Sequence, residues 1–498
     1  MKAFLMYRNR DFDLEQKLPW NEADLVQDLG LETLFDAMAS GDPFIFRVCR
    51  EALLVSTVCE EEILYRQAIL KDCLKNAAVV REIFRIPAES EENKHRQWLY
   101  VLSHYPRGIL SSSVEMMKMF VVLLKKLRHI AEDHAGEFES EGFRRFFAMI
   151  TGELDDDYFA IVNEELNELG FSKGLLISAN FWPGNEGTKY TLRKPNPGRG
   201  WLKELFSPRV PAYSFSIDAR DDAGMRALSD LEDQGVNFAA NALAQSADHI
   251  DSFFVMLKTE LAFYVGCLNL QDRLNAMQCE VAFPELYPVT DRRQHFEGLY
   301  DLCLALTKGE KITGNEIDAD GKDLVLITGA NQGGKSTFLR SIGLAQLMMQ
   351  CGMFVPAQRF VASLCQGIYT HYKRQEDASM NSGKFDEELA RMSRIADALT
   401  VNSLVLFNES FSATNELEGS EIASQITKAL VDRQVKVFFV THQYEFAHRF
   451  YQAGEKSALF LRAERQDGGK RTFRLEVGEP LPTSFGADVY LEVFGKDS

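Results

Sequence analysis

The first half of the chain spaces its apolar residues as amphipathic helices do. Through 44–75 and 114–130, apolar positions recur every three or four residues, which places them on one face of an α-helix. The same helical character extends over 25–135, 140–170 and 218–278. The last of these stretches is long enough for one extended helix. This half of the chain is therefore predicted to be mainly α-helical.

Three shorter stretches stand apart from this pattern. Residues 175–181 and 189–193 are predicted strands, joined by the turn-rich sequence from Pro183 to Gly187. The acidic triplet Asp155–Asp157 fits either a metal site or a solvated helix start, and the lack of a second acidic cluster nearby favours the helix start. Residues 281–300 contain two prolines and are predicted to be a linker into a further domain.

The second half has short apolar runs instead of the long amphipathic pattern. Residues 324–328, 403–409 and 437–442 have the composition of strands buried on both faces of a parallel sheet. Each run ends at glycine or at polar residues. Because ligands of parallel sheets bind beyond the carboxyl ends of the strands, the pattern predicts an α/β domain with a functional site at that edge.

The residues after the first of these runs fit a phosphate-binding loop. Gly329 to Ser336 has the pattern G-x-x-x-x-G-K-S between a predicted strand and a predicted helix. Glycines let backbone N–H groups close around phosphate oxygens, and the helix start adds its positive dipole end. Lys335 is expected to contact the β- and γ-phosphates, and Ser336 to bind Mg²⁺. The alternative is a glycine-rich turn that carries a lysine by chance. The predicted nucleotide-binding residues are Gly329, Ala330, Asn331, Gln332, Gly333, Gly334, Lys335, Ser336 and Thr337.

The other two strand ends supply candidate chemistry for ATP and Mg²⁺. A nucleotide site needs a metal anchor and a group that positions the attacking water. The anchor position at the end of the second strand is Asn408 rather than an aspartate. Glu409 is predicted to be the general base, and His442 to sense or stabilise the γ-phosphate. A histidine that only bonds the backbone at a strand end is the alternative for His442.

Composition narrows the class of protein without identifying it. The 498 residues suffice for two to four domains, and 46% apolar and 26% charged residues are ordinary for a soluble chain. No uninterrupted apolar run reaches the roughly 18 residues of a membrane span, and the N-terminus lacks a signal-peptide pattern. Eight cysteines without a C-x-x-C motif predict reduced thiols and a cytoplasmic location.

The distribution of charge along the chain indicates one segment that could contact nucleic acid. The net charge of −18 argues against a general nucleic-acid-binding surface. Residues 172–209 contain seven basic and two acidic residues, a net charge of +5, and are the best candidate for contact with a phosphate backbone. Lys189, Arg193 and Lys194 are the predicted DNA-binding residues. A solvated hairpin without a ligand explains the composition equally well.

The glycine loop and its surroundings also carry a family resemblance. The stretch 328–357, TGANQGGKSTFLRSIGLAQLMMQCGMFVPA, resembles the ATPase domain of the MutS family of DNA mismatch-repair proteins. The similarity continues through SLVLFNESFSATNELEGSEIA (403–423) and THQYEF (441–446) to TSFGADVYLEVFG (483–495). It is weaker over 25–275, where EEILYRQAILKDCL is similar to the family's R-Q motif.

The resemblance implies a multidomain fold: an α-helical core and lever region with a small β-containing clamp, followed by an α/β P-loop NTPase domain of the ABC type. The implied divisions are an N-terminal helical part of the core at 1–110, lever helices at 111–280 with the clamp-like insert near 172–209, and the ATPase domain at 281–498. The implied function is a DNA-binding ATPase that clamps double-stranded DNA and serves mismatch repair or recombination.

The resemblance also implies that a second subunit completes the nucleotide site. Ser382 and Thr414 are the expected residues of that interface. The chain is expected to form an ATP-dependent homodimer and to be mostly monomeric without nucleotide, because the family's dimerisation tail has no counterpart in these residues. No membrane partner is expected.

The sequence departs from the family pattern at several points. Asn408 stands where the family has aspartate, which is expected to weaken Mg²⁺ binding. The loop that reaches the partner's nucleotide has Gly383-Lys384-Phe385 in place of S-T-F, with Ser382 one position early. The mismatch-reading domain with its Phe-x-Glu wedge has no counterpart. An aromatic residue is expected against adenine, yet Ile312 occupies the nearest position, and Tyr300 is the other candidate.

Two further functions remain open. The first is an ATP-binding scaffold that hydrolyses little and gates a protein complex, which Asn408 and the net charge favour. Intact Lys335, Ser336, Glu409 and His442 favour the active ATPase. A chromosome-organising or transporter-type ATPase would need an LSGGQ-type signature, which the sequence lacks.

Overall fold

A computed structural model describes residues 1–97, 105–171, 174–184, 187–194, 213–218, 220–374, 383–465 and 471–482. The chain is helix-rich with mixed sheets and divides into two compact units. Unit 1 is Met1–Phe4 with Ala78–Leu261, and unit 2 is Leu5–Ala77 with Ala262–Ser498.

These units differ from the divisions expected at 110 and 280. Leu5–Ala77 belongs to unit 2 because its side chains bond into the C-terminal part of the chain. The side chain of Asn21 donates to the carbonyl of Ile368 (2.9 Å). The fully buried Arg66 donates to the carbonyls of Met6 (3.0 Å) and Cys351 (3.4 Å). Amphipathic periodicity predicts that these segments are helical, but it does not say which core they join.

Unit 1 is built from helices and one hairpin. Its elements are α5 (Ala77–Gln97), α6 (Pro106–His134), a 3₁₀ turn (Ala135–Glu137), α7 (Glu141–Glu153), α8 (Asp156–Leu169), β1 (Ile177–Phe181), β2 (Gly187–Leu192) and most of α9 (Asp222–Ala276), which continues into unit 2 from Ala262. The predicted helices, the predicted hairpin and the single long helix are therefore present. Phe120 of α6 packs on Phe254 of α9, with ring centroids 5.7 Å apart.

The acidic triplet begins a helix. Asp155 is the N-cap of α8, and its carboxylate accepts a hydrogen bond from the backbone nitrogen of Tyr158 (2.7 Å). Asp156 and Asp157 lie in the first turn, where negative charge interacts favourably with the positive end of the helix dipole. The N-cap position of Asp155 confirms the helix-start interpretation.

α9 is the one helix of the described residues that is long and apolar enough, by length and composition, to cross a membrane. Of its most apolar 18-residue window, 78% is buried within the structure. Core helices of folded domains have the same composition, and this burial accounts for the apolar character of α9.

Unit 2 contains four N-terminal helices and an α/β body. The N-terminal helices are α1 (Glu22–Leu29), α2 (Leu31–Ala39), α3 (Pro43–Leu54) and α4 (Glu60–Lys75). The later helices are α10 (Leu302–Lys308), α11 (Lys335–Gln350), α12 (Lys384–Ala398), α13 (Glu416–Asp432) and α14 (Tyr444–Ala453). The strands are β3 (Glu285–Tyr287), β4 (Gln294–Leu299), β5 (Asn315–Asp318), β6 (Leu324–Gly329), β7 (Arg359–Ser363), β8 (Ile368–Tyr372), β9 (Leu404–Asn408), β10 (Lys436–Val440), β11 (Ala458–Arg465) and β12 (Arg471–Val477).

A six-stranded sheet has the order β12-β11-β6-β10-β9-β8. Its neighbouring strands are parallel except for the antiparallel pair β11–β12. The three predicted buried strands are adjacent at its centre, as β6, β10 and β9. Their registers pair Val440 with both Ile327 and Asn408, so their carboxyl ends meet at one edge, as the sequence predicts.

The predicted linker at 281–300 is wrong. β3 and β4 lie within it and belong to a second, four-stranded sheet of order β3-β7-β4-β5. Pro284 and Pro288 flank β3 instead of interrupting it, a position in which proline is compatible with a strand. Phe296 of β4 is fully buried and stacks on Phe360 of β7 at 6.1 Å. The segment is therefore part of a folded sheet and not a connection between domains.

All eight cysteines are free thiols, and seven of them are buried. Burial raises the pKa of each buried thiol. Cys59, the residue before α4, is exposed.

Candidate functional site

The glycine loop joins β6 to α11 at the carboxyl edge of the six-stranded sheet. Gly329 and Gly334 have φ values of 105° and 88°, left-handed conformations that glycine adopts without a side-chain clash. A Cβ on Gly329 would lie 2.8 Å from the backbone nitrogen of Ala463, and one on Gly333 would lie 2.6 Å from the Ala463 Cβ. The loop therefore requires glycine both for its backbone path and for the close approach of β11.

Lys335 is the first residue of α11 and is folded onto its own loop. Its Nζ donates to the carbonyl oxygens of Gly329 (2.9 Å) and Ala330 (2.8 Å). Burial lowers the pKa of Lys335 to about 8; Glu409 opposes that shift, and Arg471 adds to it. The ammonium thus lies where the loop closes, with only those two carbonyl partners among the described residues.

Ser336 and Asn408 meet although 72 positions separate them in the sequence. The Ser336 hydroxyl donates to Oδ1 of Asn408 at 2.8 Å. Asn408 ends β9, and Ser336 is in the first turn of α11. Hydroxyl and amide oxygens are both ligands that hard cations accept. The structure therefore brings the two residues predicted to bind Mg²⁺ together in one place.

Glu409 and His442 form the second pair. Nε2 of His442 lies 2.9 Å from Oε1 of Glu409, and since a carboxylate only accepts, the imidazole donates. This hydrogen bond lowers the pKa of Glu409, against an opposing effect of burial; the charges of His442, Lys335 and Lys373 lower it further. Glu409 is therefore ionised at neutral pH, and His442 occupies only one of its two carboxylate oxygens.

The backbone that presents Glu409 is strained. Glu409 and Phe411 have φ values of 54° and 60°, left-handed conformations that cost non-glycine residues about 1–3 kcal/mol each. Neighbouring contacts hold this turn. The backbone nitrogen of Glu409 donates to the carbonyl of Val440 (2.9 Å), and the Ser410 hydroxyl donates to the carbonyl of His371 (2.5 Å). Strain of this kind at a strand end is typical of functional sites.

One cavity of about 430 Å³ joins four of these groups, and Asn408 is not among its lining residues. Lys335, Ser336, Glu409 and His442 line one part of it, and the predicted loop residues Asn331, Gln332, Gly333, Gly334 and Thr337 line the same space. Both candidates for the adenine contact, Tyr300 and Ile312, also line it. Tyr300 is largely buried, so Ile312 presents more surface to a ligand.

Two further lining residues, Asn315 and Phe473, were not predicted from the sequence. Asn315 lies on β5, and its side chain forms hydrogen bonds with the backbone of β12. Its Oδ1 accepts from the backbone nitrogen of Leu475 (2.8 Å), and its Nδ2 donates to the carbonyl of Phe473 (3.5 Å). Phe473 is 52% exposed and is an aromatic residue in the cavity lining, whereas position 312 is not aromatic. Because 158 positions separate Asn315 from Phe473, no local pattern could pair them.

The predicted DNA-binding residues lie on the hairpin of unit 1 and differ in their surroundings. Lys189 on β2 is exposed, and no ion pair involves it among the described residues. Nε of Arg193 donates to the Ser178 hydroxyl (2.8 Å). Lys194 is bonded to Glu168 (2.8 Å), a contact that raises its pKa, and it also lies near Glu164 and Glu165. Lys194 is thus partly neutralised by α8, while Lys189 is not.

Of the two predicted interface residues, only Thr414 is among the described residues. Ser382 lies outside the described residues. The Thr414 hydroxyl donates to Oε2 of Glu418 (2.8 Å) at the start of α13. The closing segment 483–495 also lies outside the described residues.

Comparison with known proteins identifies two matching segments. Residues 59–277 match the family model described as MutS2 N-terminal domain, and residues 325–492 match MutS domain V. Among curated proteins, the DNA mismatch repair protein MutS of Thermus aquaticus is 35% identical over 167 residues, which is 34% of this chain and 20% of that protein. The protein of the same name from Thermotoga neapolitana is 35% identical over 173 residues, 34% of this chain and 21% of that protein. The match spans about a fifth of the length of these relatives.

Proposed function

Because the chain belongs to the MutS family of DNA mismatch-repair proteins, we propose that it is a DNA-binding ATPase that acts as an ATP-dependent clamp on double-stranded DNA. The proposed process is mismatch repair or recombination, and the proposed location is the cytoplasm. Family membership supports ATP, Mg²⁺ and DNA as ligands at the level of the family.

The observation that carries this proposal is the meeting of four groups in one cavity. Lys335, Ser336, Glu409 and His442 come from three strand ends that are distant in sequence, and all line the same 430 Å³ space. This is the arrangement of a P-loop nucleotide site, with backbone donors, a mobile cation and a carboxylate at the edge of a parallel sheet. We also propose that this α/β domain is a P-loop NTPase domain of the ABC type.

The residues present fit ATP with Mg²⁺. The cradle formed by Gly329, Gly333 and Gly334 is free of side chains, and a Cβ on Gly329 or Gly333 would collide with Ala463. Ser336 and Asn408 would hold the Mg²⁺, which when bound neutralises phosphate charge. The cavity volume lies within the range of small-molecule sites. Ile312 and Phe473 would face the base.

Glu409 is proposed to accept the proton of the attacking water. Its lowered pKa keeps it ionised at neutral pH, and His442 holds Oε1, so Oε2 is left for the water. The strained turn fixes the carboxylate relative to the loop. Lys335 would leave the Gly329 and Ala330 carbonyls and contact phosphate. Asn408 contributes no charge, and the proposed turnover is slow for that reason.

We assign DNA binding to the β1–β2 hairpin of unit 1 and dimer formation to the nucleotide-binding domain. The exposed Lys189, together with Arg193, would contact phosphates without reading sequence. Lys194 is a weaker candidate because Glu168 already pairs with it. An ATP-dependent homodimer, with Ser382 and Thr414 at its interface, is proposed from the family relationship.

A second candidate is an ATP-binding scaffold that barely hydrolyses, and the neutral Ser336–Asn408 pair favours it. The deciding experiment measures ATP turnover without DNA and with duplex, mismatched or branched DNA. Turnover that DNA stimulates supports the clamp. ATP binding without turnover in any of these samples favours the scaffold, and a protein that binds no ATP contradicts both.

A further inference from the structure

The hairpin β11–β12 lies directly against the glycine loop. β11 pairs with β6 in parallel, and Ala463 is in register with Gly329. The positions that a Cβ would occupy on Gly329 and Gly333 are within 2.8 Å of Ala463 atoms. No side chain can therefore separate the hairpin from the residues that would surround phosphate.

A β-bulge brings β12 to the start of α11. The register pairs Ala463 with Leu475 and Arg465 with Arg471, so 472–474 on β12 oppose Glu464 alone on β11. Phe473 within the bulge has a φ of 60°, and its carbonyl oxygen lies 3.3 Å from the position of a Cβ on Gly334. Bulges next to active sites commonly re-aim a side chain.

Arg471 is the residue before this bulge, and one of its guanidinium nitrogens lacks a hydrogen-bond partner among the described residues. This nitrogen, Nη1, is buried. The carboxylate of Glu464 on the facing strand accepts from Thr472 instead (2.7 Å). The Arg471 charge is close enough to lower the pKa of Lys335. Arg471 thus combines a buried donor without an acceptor with a place on β12, the strand whose bulge meets Gly334.

We propose that Arg471 is a phosphate-binding residue of the nucleotide site, supplied by the same chain through the β11–β12 hairpin. An anion between Lys335 and Arg471 would satisfy the buried donor and remove the repulsion between the cations. A guanidinium suits this position because its planar fork can bind two phosphate oxygens. The ligand class is the polyphosphate of a nucleotide, so the inference rests on the proposed function.

The test compares Arg471→Gln with Arg474→Gln, which removes the same charge from an exposed site on the same strand. We expect Arg471→Gln to weaken ATP and ADP binding at least tenfold, measured with fluorescent nucleotide, and Arg474→Gln to stay within twofold of wild type. Arg471→Lys keeps the charge but not the fork and should lie between them. The nucleotide-free Tm of Arg471→Gln should equal or exceed that of wild type, since an unsatisfied buried donor is removed.

Two outcomes would overturn the inference. If Arg471→Gln binds ATP within twofold of wild type while Lys335→Ala loses it, the loop is the nucleotide site and Arg471 is not part of it. If Arg471→Gln lowers the nucleotide-free Tm and leaves ATP affinity unchanged, the residue has a structural role only. If Lys335→Ala also binds ATP normally, the proposed function fails as well.

Discussion

Lys436 is a buried charge that the fold tolerates at a measurable loss of stability. It is the first residue of β10, is 6% exposed, and its Nζ has no hydrogen-bond partner among the described residues. The nearby carboxylates already have partners, since Asp323 pairs with Arg292 (2.9 Å) and Asp320 with Arg293 (3.1 Å). Replacing Lys436 by Met, which keeps an unbranched chain without the charge, should therefore stabilise the protein.

The lowered pKa of Lys436 gives the size of this loss of stability. Burial lowers the pKa of Lys436 from 10.5 to about 8, which corresponds to about 3 kcal/mol at ~1.4 kcal/mol per pH unit. Below pH 8 the lysine is charged in both states, and the full destabilisation is present. Between pH 8 and 10.5 the unfolded chain holds more protons than the folded one, so wild-type stability rises with pH. We expect Lys436→Met to gain about 1–3 kcal/mol at pH 7 and less than about 1 kcal/mol at pH 10.

Urea unfolding of nucleotide-free protein at pH 7 and pH 10 measures both values. Lys428→Met, an exposed lysine on α13, is the matched control and should change stability little at either pH. A Lys436→Met gain that is the same at both pH values would show that burial of the charge is not its cause. A loss of stability at pH 7 would refute the reasoning altogether.

Four further predictions follow from the site and the hairpin. Glu409→Gln should bind ATP and hydrolyse it at least about 100-fold more slowly in single-turnover assays; a wild-type rate would exclude the carboxylate as base. Asn408→Asp should raise Mg²⁺ affinity or turnover in a Mg²⁺ titration, and no change in either would mean that the amide is not limiting. Lys189→Glu should weaken DNA binding and flatten its salt dependence, while Lys194→Glu should weaken it less; equal losses would contradict the ion pairing of Lys194. Glu409→Gln with ATP and Mg²⁺ should dimerise in sedimentation experiments, and equal dimerisation without ATP would reveal a nucleotide-independent interface.

Local patterns predicted the elements that are local in sequence. The loop 329–336, its strand and its helix form one continuous segment, so the fit to a phosphate-loop pattern fixes their order. The buried strands that end at Asn408 and before His442 could be placed at one edge because parallel strands share their direction. The apolar spacing of 218–278 likewise led to the single helix α9.

Contacts between distant segments could not be predicted. Nothing near Arg471 or Phe473 indicates that β12 reaches Gly334, since that contact depends on the register of β11 with β6. The prediction of a linker at 281–300 was wrong for a local reason. Its two prolines suggested a connection, and the strand between them has three residues, too few to show an alternation of apolar and polar positions. The pairing of Lys194 with Glu168 joins a strand end to a helix across an insert, so the segment's net charge of +5 overstated its free positive charge.

The distribution of the cysteines makes the unaltered chain a ready substrate for site-specific labelling. Seven thiols are buried with raised pKa values, and Cys59 alone is exposed, so a maleimide dye should attach at one position without mutagenesis. Two residues before it, the Thr57 backbone nitrogen donates to the Gln350 carbonyl (3.2 Å). Gln350 ends α11, about 22 Å along that helix from Lys335. A fluorophore on Cys59 would therefore report, from the far end of the same rigid helix, whether nucleotide at the loop displaces it.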